Sequence, residues 1–426
     1  MTGMNQKNEP ITLVKGQKVI LTTDDEYKEN CTSEHLYVNF PSLLQSVNAG
    51  EPIYLDDGRV KLIIEQLRKC EAICEVVYGG TFGSFKNVRL LRFPTDLPSL
   101  SEKDISDISF SAQENFDAVI AFIRNENNIK ELRNVLEKID QGKHMKIISK
   151  IANHEGVENI NKILEASDAI LVCKNSLGLE IGPERAVIAQ KKILSVCKLR
   201  GKPVICCVQI SEKSIHENLD SSIEAEVVMS NLLDGADCLM LFDDNSQCHT
   251  PVQALKKLKL FVEAAETIYR TGLHFENIKK AMFLITPEQI SALSAVEISY
   301  SLKANAIIVL TTTGRTAELV STFKPRCLIF AVTRSQRVCR SLHLYRSVCP
   351  IIYNYQPVEP WIEDIKARFT YAIRYLVEYG VLRIGSHVVL LTGWKPGPGF
   401  SNTLRAGTVN DEFSIASLCE QSNHNL

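Results

Sequence analysis

Short apolar runs alternate with segments of helical periodicity along most of this chain. Runs such as Ala118–Ile123, Met145–Ile151 and Val204–Val208 are each followed by a stretch with apolar residues at three- and four-residue spacing. Strands that are apolar on both faces and separated by helices predict a parallel sheet covered by those helices. Right-handed crossovers leave two arrangements open, a barrel and a doubly wound sheet. The chain is therefore predicted to be an α/β protein.

Residues 1–98 have a different pattern, in which short strand-like runs are separated by turn residues. Between two of these runs, Asp56-Asp57-Gly58 is a good β-hairpin signal, because these residue types tolerate the backbone angles of a tight turn. This segment is predicted to be a small all-β domain, with Pro94–Pro98 as its exit linker. The predicted strands are Ile11–Leu13, Val19–Thr22, Leu36–Phe40, Pro52–Leu55, Val60–Ile64 and Ala72–Val77.

The α/β pattern is interrupted once, near Thr271–Asn277, where a break between two domains is predicted. Residues 99–270 form the first α/β domain in this division, and residues 271–426 form the second. The final twenty or so residues are polar, and we expect them to be frayed. Strands of the second domain are predicted at Ala306–Leu310, Leu328–Val332, Pro350–Tyr353 and His387–Leu391.

Composition argues against several functional classes. The net charge of −2 provides no strong field for nucleic acid or anionic membranes. No apolar run is long enough to span a membrane, and Met1–Pro10 is too polar for a signal peptide, so we expect a cytoplasmic protein. The 13 cysteines fit reduced thiols in that compartment. Neither Cys70 with Cys74 nor Cys206 with Cys207 has the spacing of a zinc site.

In parallel α/β folds, ligands bind beyond the carboxyl ends of the strands. Lys150 lies near such an end, where it either serves a function or extends its ammonium group to the barrel rim. His154 and Glu155 start a predicted helix, and a helix terminus explains them better than a metal or general-base role. Asp243 and Asp244 follow another strand and are best explained as a solvated turn. The sequence contains no P-loop, dinucleotide fingerprint or nucleophile elbow.

One loop of the last domain has the composition of an anion site. The strand Ala306–Leu310 leads directly into a Thr-Thr-Thr-Gly-Arg-Thr turn and then a helix. Backbone amides, the helix dipole and a guanidinium therefore converge at one helix N-terminus. The candidate ligands are Thr311, Thr313, Gly314, Arg315 and Thr316.

A second loop follows the strand at 387–391. Its glycines Gly393, Gly397 and Gly399 let the backbone approach a ligand closely. Trp361 and Arg368 lie seven residues apart on one predicted helix face. Either loop alone is explained by an ordinary turn. The two loops and Arg368 together predict a site for a phosphate ligand.

Several strings of this sequence resemble pyruvate kinase, over nearly the whole chain. Lys150-Ile-Ala-Asn-His-Glu-Gly-Val157 is similar to the family's K-I-E-N-x-E-G strand, and Leu391-Thr-Gly-Trp-Lys-Pro-Gly-Pro-Gly-Phe400 is similar to its C-terminal loop. The strings Ile163–Asp168, Gly201–Cys206 and Leu233–Cys238 also match. The resemblance implies a partial (β/α)8 TIM barrel with an inserted all-β domain and a C-terminal α/β regulatory domain. It also implies glycolytic phosphoryl transfer from phosphoenolpyruvate to ADP, assisted by Mg and K ions.

The departures from the family pattern fall on the active site. Lys150, which matches the family's catalytic lysine, is retained, but the Mg-binding glutamate is Ala152 here and the Mg-binding aspartate is Ser176. The catalytic threonine is Val208, and the S-G-E-T loop is Phe-Asp-Asp-Asn at 242–245. Since Mg²⁺ requires hard, preferably anionic oxygen ligands, no metal site is predicted at these positions.

The resemblance covers five of the family's eight barrel strands, because it begins at the inserted β-domain. Five strands leave open edges and uncovered apolar faces, so either the sequence is truncated or a partner covers them. Losing one electrostatic donor commonly costs roughly 10²–10³ in rate. Losing both metal ligands, the threonine and three strands therefore predicts no useful turnover.

The C-terminal residues, by contrast, match the family. The loop from Thr311 to Thr316 resembles the family's loop for the effector fructose 1,6-bisphosphate. Trp361 and Arg368 match the residues that clamp its second phosphate, and the loop Gly393–Gly399 matches the one that closes over it. The resemblance implies a sugar bisphosphate site that does not depend on catalysis.

These observations predict an inactive pyruvate kinase relative that serves as a binding or regulatory subunit. We expect it to bind a sugar bisphosphate and to form homo- or hetero-oligomers with pyruvate kinase subunits. Mg, K and ADP/ATP are implied by the family alone. The alternative is an active pyruvate kinase with an altered Mg site or an incomplete N-terminus.

Overall fold

The computed structural model describes residues 1–69, 71–90, 99–210, 221–242, 251–269, 271–281, 286–397, 399, 401–412 and 414–416. The predicted linker Pro94–Pro98, Cys70, the segment 243–245, Phe400 and most of the predicted frayed end lie outside these residues. The chain divides into two compact units. The first unit contains residues 1–101, 152–158 and 173–189, and the second contains 102–151, 159–172 and 190–426.

The first unit is built on a β-sheet, which confirms the predicted all-β segment. Six strands pair in the order β3-β2-β6-β5-β4-β8, and β1 pairs separately with β7. The short strands β7 and β8 were not predicted, and β3 ends at Tyr37 rather than Phe40. The strands are β1 Ile11–Leu13, β2 Lys18–Thr22, β3 His35–Tyr37, β4 Pro52–Leu55, β5 Val60–Leu67, β6 Glu71–Tyr78, β7 Gly80–Phe82 and β8 Val88–Leu90.

The predicted hairpin at residues 56–58 is confirmed. β4 and β5 pair antiparallel on either side of a single turn, Asp56–Gly58. Asp56 and Gly58 adopt positive φ angles of 49° and 96°, the left-handed region that these residue types tolerate. The alternation of buried and exposed residues along β5 then places Val60, Leu62 and Ile64 in the core of this unit.

The second unit begins with a five-stranded parallel sheet in the sequential order β13-β12-β11-β10-β9. Sequential parallel order is the order of barrel strands and not of a doubly wound sheet, in which the order reverses. Among the described residues, β9 and β13 each pair on one side only. The strands are β9 Ala118–Phe122, β10 Lys146–Ile151, β11 Ala169–Val172, β12 Val204–Val208 and β13 Cys238–Leu241.

Helices separate these strands, as the periodicity predicts. Near Thr271–Asn277, where a break between domains is predicted, the structure has a helix over Thr271–Ala281. Gly272 lies in its first turn, where the amides need no acceptor within the helix, and Phe275 and Ile278 anchor the helix by burial. The division of the chain into domains at this place stays a prediction. The helices are α1 Glu102–Gln113, α2 Glu126–Glu137, α3 His154–Glu158, α4 Ile160–Ala166, α5 Lys174–Ile181, α6 Pro183–Arg200, α7 Ser221–Leu233, α8 Pro251–Ile268 and α9 Thr271–Ala281.

The C-terminal part of the second unit is an α/β sandwich around a six-stranded sheet, in the order β16-β15-β14-β17-β18-β19. Strands β14 to β17 are mutually parallel, and β18 and β19 run antiparallel at the edge. The elements are α10 Pro287–Ser301, β14 Ala306–Leu310, α11 Arg315–Thr322, β15 Leu328–Thr333, α12 Gln336–Ser341, β16 Val348–Ile352, α13 Trp361–Glu378, β17 His387–Gly393, β18 Ser401–Val409 and β19 Ile415–Ala416.

Two separate apolar cores lie on opposite faces of this sheet. Helices α10 and α11 cover one face. On the other face, α13 packs over β14 and β15, and Val388 and Leu390 of β17 are buried in the same core. None of the described helices combines the length and the apolar character needed to cross a membrane.

Candidate functional site

The residues predicted to bind phosphate come together in one small cleft of about 50 Å³, open to solvent, at the carboxyl ends of β14 and β17. The turn between β14 and α11 forms one wall, the start of α13 a second, and the glycine loop after β17 a third. The predicted residues that line it are Thr311, Thr313, Arg315, Thr316, Trp361, Arg368, Gly393, Gly397 and Gly399.

Gly314, the remaining predicted residue, shapes the turn and does not line the cleft. Its φ of 88° lies in the left-handed region, and its N–H donates to the Thr311 Oγ1 at 2.9 Å. A Cβ at this position would come within 3.2 Å of the Val338 and Leu342 side chains. The turn therefore requires glycine, and it aims the first amides of α11 toward the cleft.

Arg368 is the buried cation of the cleft, with 4% of its surface exposed. Its Nη2 donates to the Val332 carbonyl at 3.0 Å, and its Nη1 lies 3.9 Å from the Asp364 carboxylate, which also accepts a 2.6 Å hydrogen bond from Arg334. The Arg368 Nε has no hydrogen-bond partner among the described residues. Burial lowers the pKa of Arg368 to about 10, so the guanidinium stays charged at neutral pH.

Thr392 was not among the predicted ligands, although it begins the predicted loop. It lines the cleft with 5% of its surface exposed, and its Oγ1 has no hydrogen-bond partner among the described residues. Buried polar atoms are almost always paired, so two unpaired ones in a single cleft mark a place for a polar ligand. The Trp361 Nε1 donates to the Gly393 carbonyl at 3.4 Å, which holds the indole against the glycine loop.

The two positions that match the family's metal ligands lie in the first unit. Ala152 is buried, with 1% of its surface exposed, and offers no ligand atom. The Ser176 Oγ accepts a 2.7 Å hydrogen bond from the Arg89 Nη2, so a guanidinium faces this position. Burial raises the pKa of the nearby Glu180, while the charge of Arg89 opposes that shift.

These residues do not fit a Mg²⁺ ion. A neutral hydroxyl that faces an arginine is a poor ligand for a hard dication, and Ala152 contributes none. Over the part of the chain that the structure describes, no group of three histidines, cysteines, aspartates or glutamates can hold a metal. Sequence reasoning missed Arg89 because β8, the short strand that carries it, was not predicted.

The other strand-end residues lie near where the sequence places them. Lys150 is the penultimate residue of β10 and is half-buried, and Val208 ends β12 with its side chain buried. His154 begins α3, and its ring lies 3.7 Å from the exposed Glu158 carboxylate. That contact is typical of a helix terminus, as expected. Residues 243–245, which match the family's S-G-E-T loop, lie outside the described residues.

Comparison with protein families gives two matches that together cover most of the chain. Residues 1–255 match the family model described as pyruvate kinase, barrel domain, and residues 289–406 match the one described as pyruvate kinase, alpha/beta domain.

Individual relatives give the same answer. The chain is 38% identical to pyruvate kinase PKLR of Homo sapiens over 403 residues, which cover 94% of this chain and 70% of that protein. It is 35% identical to pyruvate kinase 1 of Saccharomyces cerevisiae over 415 residues, which cover 96% of this chain and 82% of that protein. On this evidence the chain belongs to the pyruvate kinase family.

Proposed function

We propose that this chain is a pyruvate kinase family member that lacks Mg²⁺-dependent phosphoryl transfer and acts as a sugar-bisphosphate-binding subunit. The observation that carries the first part is the hydrogen bond from Arg89 to Ser176, at the position where the family has a metal-binding aspartate. An arginine at this place supplies a fixed positive charge where the reaction requires an exchangeable dication. Phosphoryl transfer depends on metal ions placed around the moving charge, so the reaction has no path here.

The second part is supported by the C-terminal cleft. The buried Arg368 with its unpaired Nε, the unpaired Thr392 hydroxyl and the amides that begin α11 are all hydrogen-bond donors suited to phosphate. The exposed Arg315 guanidinium and Lys395 line the same cleft and add positive charge to it. A sugar bisphosphate carries two phosphates, and this set of donors and cations suits such a dianionic pair.

As a subunit, the chain is proposed to assemble in the cytoplasm with itself or with active pyruvate kinase subunits. Relatives of this family are usually oligomers, and a bound effector in one subunit then affects its neighbours through their shared interfaces. No catalysis by this chain is needed for that role.

A coupled assay with phosphoenolpyruvate, ADP, Mg²⁺ and K⁺ tests the loss of activity directly. We expect turnover at least about 10³-fold below that of an active relative under the same conditions, as the loss of several electrostatic groups implies. The yeast relative is a suitable reference protein. Turnover within about tenfold of that reference would refute the proposal.

The second candidate is an active pyruvate kinase with an altered metal site. Two observations favour it: the relatives reported above are named pyruvate kinases, and Lys150, which matches the catalytic lysine, is retained. The same assay separates the two candidates. Activity that depends on Mg²⁺ and disappears in Lys150→Met would establish the second candidate and exclude the first.

A further inference from the structure

A second cavity lies beside the phosphate cleft and is lined by α13, β17 and β18. Its volume is about 750 Å³, within the range of small-molecule sites in proteins. Apolar side chains of α13 form one wall, namely Ile362, Ile365, Phe369 and Ile373. Leu390 of β17 contributes to the floor. This cavity is distinct from the phosphate cleft, because Arg368 and the turn before α11 do not line it.

The charges around this cavity have one sign. Its described lining includes Lys366 and Arg405 but no carboxylate. Lys366 is already paired with Glu363 at 2.7 Å on the solvent side of α13. Arg405 extends from β18 and has no ion pair with any described residue. An apolar cavity with an unpaired guanidinium at its edge is complementary to a ligand with an apolar body and a single negative charge.

One buried hydroxyl and two indoles also line this cavity. The unpaired, buried Thr392 hydroxyl lines both this cavity and the phosphate cleft. The two tryptophans of the chain, Trp361 and Trp394, also line the cavity, and the Trp394 indole is 60% exposed. An exposed indole beside an empty apolar cavity is a surface that an apolar ligand covers with a gain in free energy.

We propose that this cavity binds a small amphipathic monoanion, an aliphatic carboxylate whose chain lies along α13 and whose carboxylate pairs with Arg405. The apolar side chains of this wall repeat every three or four residues along α13, which suits an aliphatic chain that lies parallel to the helix. Occupancy covers Trp361 and Trp394 directly. The proposal does not depend on the proposed function, since it requires neither catalysis nor a bound phosphate.

Tryptophan fluorescence tests this proposal, with decanoate as the probe below its micellar concentration and decanol as the neutral comparison. We expect a saturable change with decanoate, and binding of decanol at least about tenfold weaker. Arg405→Glu and Ile362→Glu should each weaken decanoate binding at least about tenfold. Ile384→Glu, an exposed isoleucine outside the cavity, is the matched control and should bind like the wild type.

One further variant distinguishes binding in this cavity from binding in the phosphate cleft. Arg368→Ala should leave decanoate binding intact, because Arg368 lines only the phosphate cleft. Thermal melts establish that each variant is folded before its affinity is compared. The proposal is refuted if decanoate gives no saturable change, if decanol binds as well as decanoate, or if folded Arg405→Glu and Ile362→Glu bind like the control.

Discussion

The C-terminal cleft and the two positions that match the family's metal ligands differ in how firmly the fold holds their residues. In the cleft, Gly314 is fixed by its turn, and Arg368 bonds to the backbone of a neighbouring strand. At the metal positions, Ala152 sits in a buried slot and Ser176 is a short side chain that faces Arg89. Replacing Gly314 or Arg368 disturbs the surrounding packing, whereas a side chain at the position of Ser176 contributes little to it.

This difference suggests why one set of family residues is retained and the other is not. A phosphate cradle made of backbone amides and a structural arginine persists as long as the sandwich folds. A metal site made of two side chains disappears after two substitutions, and the fold is unaffected. Four experiments test this contrast, in order of decreasing expected effect.

The largest effect is expected from rebuilding the metal site in the triple variant Ala152→Glu, Ser176→Asp, Arg89→Asn. Without metal, a carboxylate forced into the buried Ala152 position should lower the free energy of unfolding by about 3–5 kcal/mol. Mn²⁺ should restore much of that loss, since it binds the folded state only. Thermal melts with and without Mn²⁺ measure both effects.

Wild-type protein is the control for this experiment, and its melting temperature should not respond to Mn²⁺. The double variant that keeps Arg89 should bind Mn²⁺ more weakly than the triple variant, because the guanidinium competes for the new carboxylates. A Mn²⁺-dependent rise in the wild-type melting temperature would contradict the proposed loss of the metal site.

The next largest effect, on the affinity for fructose 1,6-bisphosphate, is expected at Arg368. Arg368→Ala should reduce affinity for fructose 1,6-bisphosphate at least about 100-fold, or roughly 3 kcal/mol, since a buried charge-assisted contact is lost. Arg368→Lys should also bind weakly, because it keeps the charge and loses the fork of donors. Isothermal titration calorimetry measures the affinities, with Arg374→Ala on the same helix as the control. An absence of binding to wild type and variant alike would refute the proposed effector site.

The stability of the unit that contains the cleft should depend on pH. Burial lowers the pKa of His274 to about 4, and the positive charges of Lys198, Arg346 and Lys324 add to this shift. The Lys198 Nζ lies 2.9 Å from the His274 Nδ1, and the imidazole ring stacks on Tyr269 with 4.7 Å between the ring centres. The ordinary value is 6.5, so between pH 6.5 and 4 the unfolded chain binds the proton and the folded chain does not. Stability should therefore fall by about 1–2 kcal/mol as the pH drops through this window, since solvent screens part of the effect on a half-buried ring.

Chemical denaturation followed by tryptophan fluorescence measures this slope, because Trp361 and Trp394 both lie in that unit. His274→Gln keeps an acceptor for Lys198 and cannot titrate. The His274→Gln substitution should remove most of the fall in stability between pH 6.5 and 4. If the variant and the wild type lose stability equally between pH 6.5 and 4, the assigned role of His274 is wrong.

The smallest effect is expected from Thr392→Val. The hydroxyl has no hydrogen-bond partner among the described residues, so its removal should change the free energy of unfolding by less than about 1 kcal/mol. The same change should weaken fructose 1,6-bisphosphate about three- to tenfold if the hydroxyl bonds to the ligand. Equal affinity for the two proteins, measured by calorimetry, would remove Thr392 from the site.

The sequence predicts the elements whose residues are buried on both faces. β14 was predicted with its exact limits, because Ala306–Leu310 is five apolar residues between polar ones and all five are buried. β18 was not predicted, because Ser401–Val409 is an antiparallel strand near the sheet edge that mixes polar and apolar residues. Helix α9 was missed for a related reason: a Thr-Gly start resembles a breaker, and its two buried anchors are visible only in the packed structure.

The candidate site was predictable to the extent that it is local. The turn at residues 311–316 could be read from consecutive residues, and Trp361 and Arg368 from their helical spacing. The hydrogen bond between Arg89 and Ser176 could not, since 87 residues separate the partners. The unpaired Arg368 Nε and Thr392 hydroxyl were also beyond the sequence, because whether a buried polar atom finds a partner depends on packing.

The open strand β9 has a consequence for how the protein behaves at high concentration. Among the described residues it pairs on one side only, and Ile120 and Phe122 point outward with 49% and 46% of their surfaces exposed. The strand contains no lysine or proline, the residues that usually keep edges apart. Refolding yield and solubility should therefore fall steeply with protein concentration, and Ile120→Lys should improve both without altering either ligand site.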